Sequence, residues 1–230
     1  MKTPFKLLFL LCFFCLTVSL LSGCGGESVP TLTPAEQAEV DKYVKNHGRD
    51  ALAVYLYDKR VSKTDEQLVS KYSKYFVSQG ADVNASIKRE GSIYTPIRLV
   101  ISRRNIELAR FLISKGVDIN ARDDKNSTPL EWAIRVTDFE MVKFLISQGA
   151  DVNICGDMPL LHVAVGLGPS FYISDKHIFR DEKEVLEIVK ILVSAGANIN
   201  AKLGNGQTPL DLAKEARWNK AVIDYLSGLK

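Results

Sequence analysis

An all-α stack of helix-turn-helix units with short β-hairpin tips is the fold this sequence predicts, on three observations. The first is a turn that recurs four times: Gly80-Ala81-Asp82-Val83-Asn84-Ala85, Gly116-Val117-Asp118-Ile119-Asn120-Ala121, Gly149-Ala150-Asp151-Val152-Asn153-Ile154 and Gly196-Ala197-Asn198-Ile199-Asn200-Ala201. The second is a helix start that keeps pace with it: Thr95-Pro96-Ile97, Thr128-Pro129-Leu130 and Thr208-Pro209-Leu210, with the weaker Pro159-Leu160-Leu161-His162. Thr95 to Thr128 spans 33 residues, and so does Asn120 to Asn153. The third is apolar spacing: Ile106, Ala109, Leu112 and Ile113 are matched by Phe139, Val142, Leu145 and Ile146, one buried helix face per unit.

Each element has a local cause. Thr caps the first helix of a unit, and Pro fits its first turn, where the missing N–H costs nothing. Gly116 and Gly149 end the second helices, and the Asp and Asn that follow form turns through local hydrogen bonds. A single unit cannot bury its own apolar face, so the units must stack. This pattern resembles the ankyrin repeat, whose hallmarks are Thr-Pro-Leu-His, two helices and Gly-Ala-Asp-Val-Asn. The resemblance covers residues 50–230 and implies an ankyrin solenoid of about 4–5 repeats including caps. Its units are 50–85, 86–121, 122–154, 155–201 and 202–230. The first has lost Thr-Pro-Leu and carries a polar stretch from Asp58 to Gln67, as an N-terminal cap does. The last ends without Gly-Ala-Asp, as suits a C-terminal cap.

Upstream of the repeats the chain reads as an export signal. Lys2 and Lys6 precede an apolar run, Leu7 to Leu21, that ends in Leu21-Ser22-Gly23-Cys24. Charge followed by a short apolar stretch describes a secretory signal peptide over residues 1–23. Fifteen helical residues reach only about 22 Å, against a bilayer core of about 30 Å, so a spanning anchor is excluded. Leu-Ser-Gly-Cys resembles the lipobox of bacterial lipoproteins. That resemblance implies cleavage before Cys24, a diacylglycerol on its thiol and acylation of its new amine, a palmitate-type anchor. Gly25 rather than Asp after the Cys implies the bacterial outer membrane, facing the periplasm. Residues 24–33 are then the lipidated Cys and a tether, and 34–49 an N-terminal helix. Thr33, Pro34 and Glu36 signal its start by a capping box, and it should end near Gly48.

Composition narrows the function. The 230 residues are 46% hydrophobic and 25% charged, as in a folded chain. Formal charge is +3, and loss of Lys2 and Lys6 leaves 28 basic against 27 acidic residues, or +1. That balance does not support general nucleic-acid binding. Cys12 and Cys15 leave with the signal and Cys24 is lipidated, so Cys155 stands alone and no internal disulfide forms. It reads as a small apolar turn residue, with a redox role as the alternative. No nucleophile elbow, His-Glu-x-x-His, phosphate loop or paired-Cys zinc pattern occurs. No enzyme activity, cofactor, metal or small-molecule substrate is expected. His162 holds the His position of the repeat motif, and His47 lies at a helix end.

A solenoid offers a long face of finger tips and first helices. Family resemblance places the tips at 88–92, 122–127, 155–157 and 202–207. Repeat two is locally basic, with Lys88, Arg89, Arg98, Arg103, Arg104 and Arg110 against Glu90 and Glu107. It is either a solvated face or a patch for an acidic partner. Trp132 is either core or a binding anchor. The largest departure is in the fourth unit: Ala133 to Gly149 spans 16 residues, the equivalent Ala164 to Gly196 spans 32. About 16 residues, 169–184, are therefore inserted as a loop between the helices. Its Phe171, Tyr172, Ile173, Ile178 and Phe179 either close a gap or project to a partner, flanked by Lys176, His177 and Arg180. Candidate partner contacts are thus Phe171, Tyr172, Lys176, His177, Phe179, Arg180, Arg98, Arg103, Arg104, Arg122 and Lys125. The chain reads as a lipid-anchored protein-binding module. It resembles periplasm-facing ankyrin immunity lipoproteins that guard against type VI secretion phospholipase effectors. The alternative is a scaffold for a resident periplasmic enzyme, as in ankyrin proteins linked to peroxide defence.

The thiol of Cys24 is the acyl acceptor in this reading. Cys24→Ser is therefore expected to keep its leader and to take up no labelled palmitate, where the native chain does. Equal labelling of the two would refute the anchor.

Overall fold

The structure, a computed structural model, describes residues 29–59, 65–154, 156–166, 170–173, 176–179, 181–217 and 219–229, with the backbone alone at 170–173 and 176–179. The segment read as an export signal (residues 1–23), Cys24, Cys155 and Arg180 lie outside these. The chain divides into two compact units, Met1–Thr31 and Leu32–Lys230, and all the described elements are in the second.

The elements are α1 (Pro34–His47), a 3-10 turn (Gly48–Asp50), α2 (Ala51–Lys59), α3 (Glu66–Ser78), β1 (Ile87–Arg89), β2 (Ser92–Tyr94), α4 (Pro96–Ser102), α5 (Ile106–Ser114), α6 (Pro129–Arg135), α7 (Phe139–Ser147), α8 (Leu160–Gly166), β3 (Ser170–Ile173), β4 (Lys176–Phe179), α9 (Glu182–Ser194), α10 (Pro209–Ala216) and α11 (Lys220–Ser227). First helices α2, α4, α6, α8 and α10 pack side by side in one layer, with their partners α3, α5, α7, α9 and α11 behind them. Caps set the starts. Thr95, Thr128 and Thr208 each accept the N–H three residues on, with Pro next to them in the first turn. Asn105, Asp138 and Asn219 cap the second helices in the same way.

The buried centre of the second helices is Leu108, Ala109 and Leu112 in α5, Met141, Val142 and Leu145 in α7, and Val185, Ile188, Val189 and Leu192 in α9, all fully buried. Ile106, Ile113, Phe139 and Ile146, expected on that face, are half-buried at its rim. The 3.6-residue period tolerates this shift, because i and i+1 share the centre once layers press from two sides. Behind the second helices, cations cover the next unit's aromatic ring: Lys74 lies 5.4 Å from Phe111 and Arg110 lies 4.6 Å from Phe144.

Asn side chains sew the turns together. Asn84 donates to Gly116 O (3.1 Å) and accepts from Asp118 N (3.0 Å). Asn120 repeats both bonds with Gly149 O (3.5 Å) and Asp151 N (3.0 Å), and Asn153 reaches Gly196 O at 3.5 Å. At the first unit the carbonyl of Arg49 takes the Asn role and accepts from Asp82 N at 2.9 Å.

The N-terminal helix is part of the stack. Its capping box forms as expected, with Thr33 and Glu36 bonded reciprocally. Lys71 lies 2.8 Å from Glu36 and, with the Thr33 N–H, holds its carboxyl down to about 2. The pair thus ties α1 to α3 above that pH and releases it below. Tyr43 of α1 meets Tyr55 edge-on at 5.5 Å and Phe76 at 6.0 Å. This cover explains why Ala51 to Leu56 of α2 are buried on every side. Burial, then the Asp58 carboxylate 3.0 Å away, raises the Tyr43 hydroxyl to about 12.

The insertion is not a plain loop. Residues 170–173 and 176–179 form an antiparallel hairpin, with Phe171 opposite Ile178 and Tyr172 opposite His177. The rest lengthens a helix: α9 has 13 residues where α5 and α7 have 9. Asp181 caps it by accepting from Lys183 N and Glu184 N, so 182–184 are its first turn. An Asp followed by acidic residues is the chemistry of a helix start.

Leu145 is fully buried at the centre of the array. Leu145→Ala is expected to cost about 2–5 kcal/mol in urea unfolding. An unchanged midpoint would place the core elsewhere.

Candidate partner-binding face

The finger face is built turn by turn. Finger one is β1–β2, with Arg89 opposite Ser92 and only Glu90 and Gly91 between them. Both have positive φ, 52° and 75°, the requirement of a tight type I′ hairpin turn that suits Gly at its second position. Lys88, Arg89 and Glu90 point out and are exposed, while Ile87 and Tyr94 are buried.

Finger two is organised by one carboxylate. Asp123 Oδ1 accepts from Lys125 N and Ser127 N, each at 2.9 Å. Its Oδ2 accepts from Trp132 Nε1 at 2.8 Å and lies 3.3 Å from Arg98 Nη1. The Arg98 guanidinium is sandwiched between the rings of Tyr94 at 4.4 Å and Trp132 at 4.1 Å, and it donates to Ile93 O. Side-chain exposure is 8% for Arg98 and 3% for Asp123. A desolvated charge pair between stacked rings therefore joins finger one to finger two. Trp132 is core, with its one donor satisfied.

Finger three is short and drawn inward. Glu131, buried in α6, accepts from Arg135 Nη2 (2.7 Å), Ser127 Oγ (3.0 Å) and Gly156 N (3.2 Å). A Cβ at Gly156 would lie 2.8 Å from that carboxylate, so only glycine permits this approach. Finger four repeats the finger-two turn: Leu203 N donates to Gln207 O and Gly206 N to Leu203 O, as Asp123 and Asn126 do in finger two. His162 binds this finger, its Nε2 3.0 Å from Gln207 O. Its ring is fully buried and Nδ1 has no hydrogen-bond partner; Pro159 stands at the capping position that Thr holds in other units.

The face divides the residues expected to contact a partner. Arg98 is buried. Arg103 makes a two-pronged pair with Glu66 (2.6 and 3.1 Å) and donates to Lys59 O at 2.6 Å. Arg104 donates to Val136 O in the next unit. Arg110 covers Phe144. Of these four arginines, Arg98 and Arg103 have covered side chains, while Arg104 and Arg110 are exposed residues whose guanidinium groups are engaged with the next unit. Their partners lie roughly a unit away in sequence, so no local spacing reveals them. Arg122 and Lys125 stand exposed on finger two, Arg122 bonded at 2.7 Å to Asn126 Oδ1. Phe171, Tyr172, Lys176, His177 and Phe179 belong to the inserted hairpin, whose side chains, like all of Arg180, are outside the description. Asp123 and Gly156 are the residues whose roles sequence reasoning missed. The Asp-x-x-x-Ser turn beside a Trp was the available signal for Asp123. Among the described residues, no group of three His, Cys, Asp or Glu is placed to hold a metal ion.

Residues 67–154 match the family model for ankyrin repeats in three copies. No curated protein matches the chain. The helix pairs form an all-α ankyrin-repeat solenoid, and ankyrin repeats are modules of protein–protein interaction. The match ends at Ile154, just before the short finger and the insertion.

Asp123→Ala leaves Arg98 buried without its counter-charge and strips finger two of its acceptor. A loss of about 3–5 kcal/mol is expected in denaturant unfolding, with a change in tryptophan emission as Trp132 loses its cover. Arg122→Ala, next to Asp123 in sequence but exposed, should change stability by no more than about 0.5 kcal/mol. Equal effects would mean that the clamp does not hold the fingers.

Proposed function

We propose that the chain is a lipid-tethered binding module of the bacterial envelope that inhibits a toxic membrane-directed hydrolase, a phospholipase effector delivered by a type VI secretion system. The observation that carries the binding reading is the run of three ankyrin copies presenting one continuous finger face. Support for the location comes from Leu21-Ser22-Gly23-Cys24 at the end of the apolar leader. An anchor there keeps an inhibitor beside the bilayer that such an enzyme attacks, and several acyl chains suffice without a spanning helix. The inserted hairpin suits the inhibitory role. It concentrates Phe171, Tyr172, Ile173, Ile178 and Phe179 between two helices that other units join in a few residues. Aromatic and Arg side chains are the usual energetic centres of interfaces.

The test uses residues 25–230 as bait in envelope extracts, followed by a purified assay of whatever enzyme is captured. Inhibition of a captured lipase supports the proposal; capture of a resident enzyme whose activity is unchanged overturns it in favour of a scaffold. The hairpin is tested by replacing 169–180 with a Gly-Ser link, which leaves the Asp181 cap in place. An unchanged melt with affinity for that enzyme lowered at least about tenfold, roughly 1.4 kcal/mol, is expected. A variant that melts and inhibits normally removes the hairpin from the interface.

A further inference from the structure

The cations of fingers one and two sort cleanly by what the fold does with them. Arg98 is spent on Asp123, and Arg103, Arg104 and Arg110 are engaged along the helices. Left exposed on the two adjacent tips are Lys88, Arg89, Arg122 and Lys125. The exposed carboxylates there are Glu90 and Asp124, and Asp124 already lies 3.9 Å from Arg98. Arg98 therefore has a consequence beyond packing. By neutralising Asp123 from inside, it leaves the outer edge of both fingers with a cationic excess.

Spacing is set as well as sign. The two-residue turn at Glu90-Gly91 fixes Lys88 and Arg89 on one hairpin, and Asp123 fixes the finger that carries Arg122 and Lys125. The stacked Arg98 locks the two fingers to each other. A ligand of the right charge meets a prearranged set of cations and has little backbone ordering to offset.

We propose that the tips of fingers one and two are a preformed docking edge for an acidic segment of the protein partner, held by Lys88, Arg89, Arg122 and Lys125. This rests on the reading of the finger face as a protein-binding surface. Exposed rim charges of this kind steer association and act within a Debye length of about 8 Å at physiological salt. Binding at this edge is therefore salt-sensitive.

The probe is a short blocked oligoglutamate peptide, titrated into residues 25–230 and followed by amide shifts, with oligoglutamine of equal length as control. The expected result is shifts confined to residues 87–92 and 122–127, weakened by added salt. Affinity should fall at least tenfold in the variant Lys88→Glu/Arg89→Glu/Arg122→Glu/Lys125→Glu. It should hold in Lys143→Glu/Lys183→Glu, which reverses exposed cations on the second helices. Shifts spread over the second helices, or equal affinity in the four-fold variant, overturn the proposal. So do amide shifts produced by phosphatidylglycerol vesicles and not by the peptide, which would make the edge a membrane contact. A four-fold variant that still binds the captured enzyme as tightly as the parent, while the hairpin replacement does not, rejects the acidic segment and leaves the protein-binding reading standing.

Discussion

Each helix pair in this chain has an apolar face that only its neighbours cover, and everything else in the structure follows from that dependence. Leu108, Leu112, Val142, Leu145, Ile188 and Leu192 reach full burial because the next second helix lies against them. About thirty residues cannot enclose a core alone, whereas a row of units builds one continuous core. The Asn bonds from turn to turn set the pitch at which the units meet, since Asn84 and Asn120 each satisfy one carbonyl and one amide of the next turn. The ends need a different solution. At the N-terminus α1 lays Val40 and Tyr43 over α2 and α3, and the Arg49 carbonyl substitutes for the missing Asn.

Stacking also dictates what becomes of charge on the finger face. A first helix whose side chains meet the next finger must place polar groups where water is scarce, and each needs a partner to offset its desolvation. Arg98 finds Asp123, Glu131 finds Arg135 and the Gly156 amide, and His162 finds the Gln207 carbonyl. All but the Glu131–Arg135 pair, which lies within α6, run from one unit to the next finger. The same interactions that hold the fingers in place therefore consume much of the charge that a linear reading assigns to a partner. What remains for recognition is the outermost row, on tips whose backbone is already fixed.

The fourth unit breaks the pattern in three places at once. Its finger is shortened around Gly156, its first helix starts without a Thr cap, and 170–173 pair with 176–179 between its helices. Its core positions are nonetheless kept, with Leu161, Val163, Ile188 and Leu192 buried as in other units. Departures confined to surface segments leave stacking intact, so the array tolerates them at one position without losing its neighbours.

The sequence by itself determined the helices, their caps and the turns between them. These depend on residues two to four apart: Thr128 and the Glu131 amide, Asp151 and the Asn153 amide, Thr33 and Glu36. It also determined the repeat and therefore the all-α solenoid, because the same local signals recur in register through residues 67–154. Only the tertiary structure decided which polar side chains face solvent. Arg103 meets Glu66 across 37 positions, Arg104 meets Val136 across 32, and His162 meets Gln207 across 45. It likewise decided that the inserted residues form a hairpin and an extra helical turn, since both depend on where α8 ends and where Asp181 caps α9. Local hydrogen bonds can be read along a chain. Contacts between units exist only once burial has brought distant residues together, and no spacing in the sequence encodes which of two neighbouring arginines will be covered.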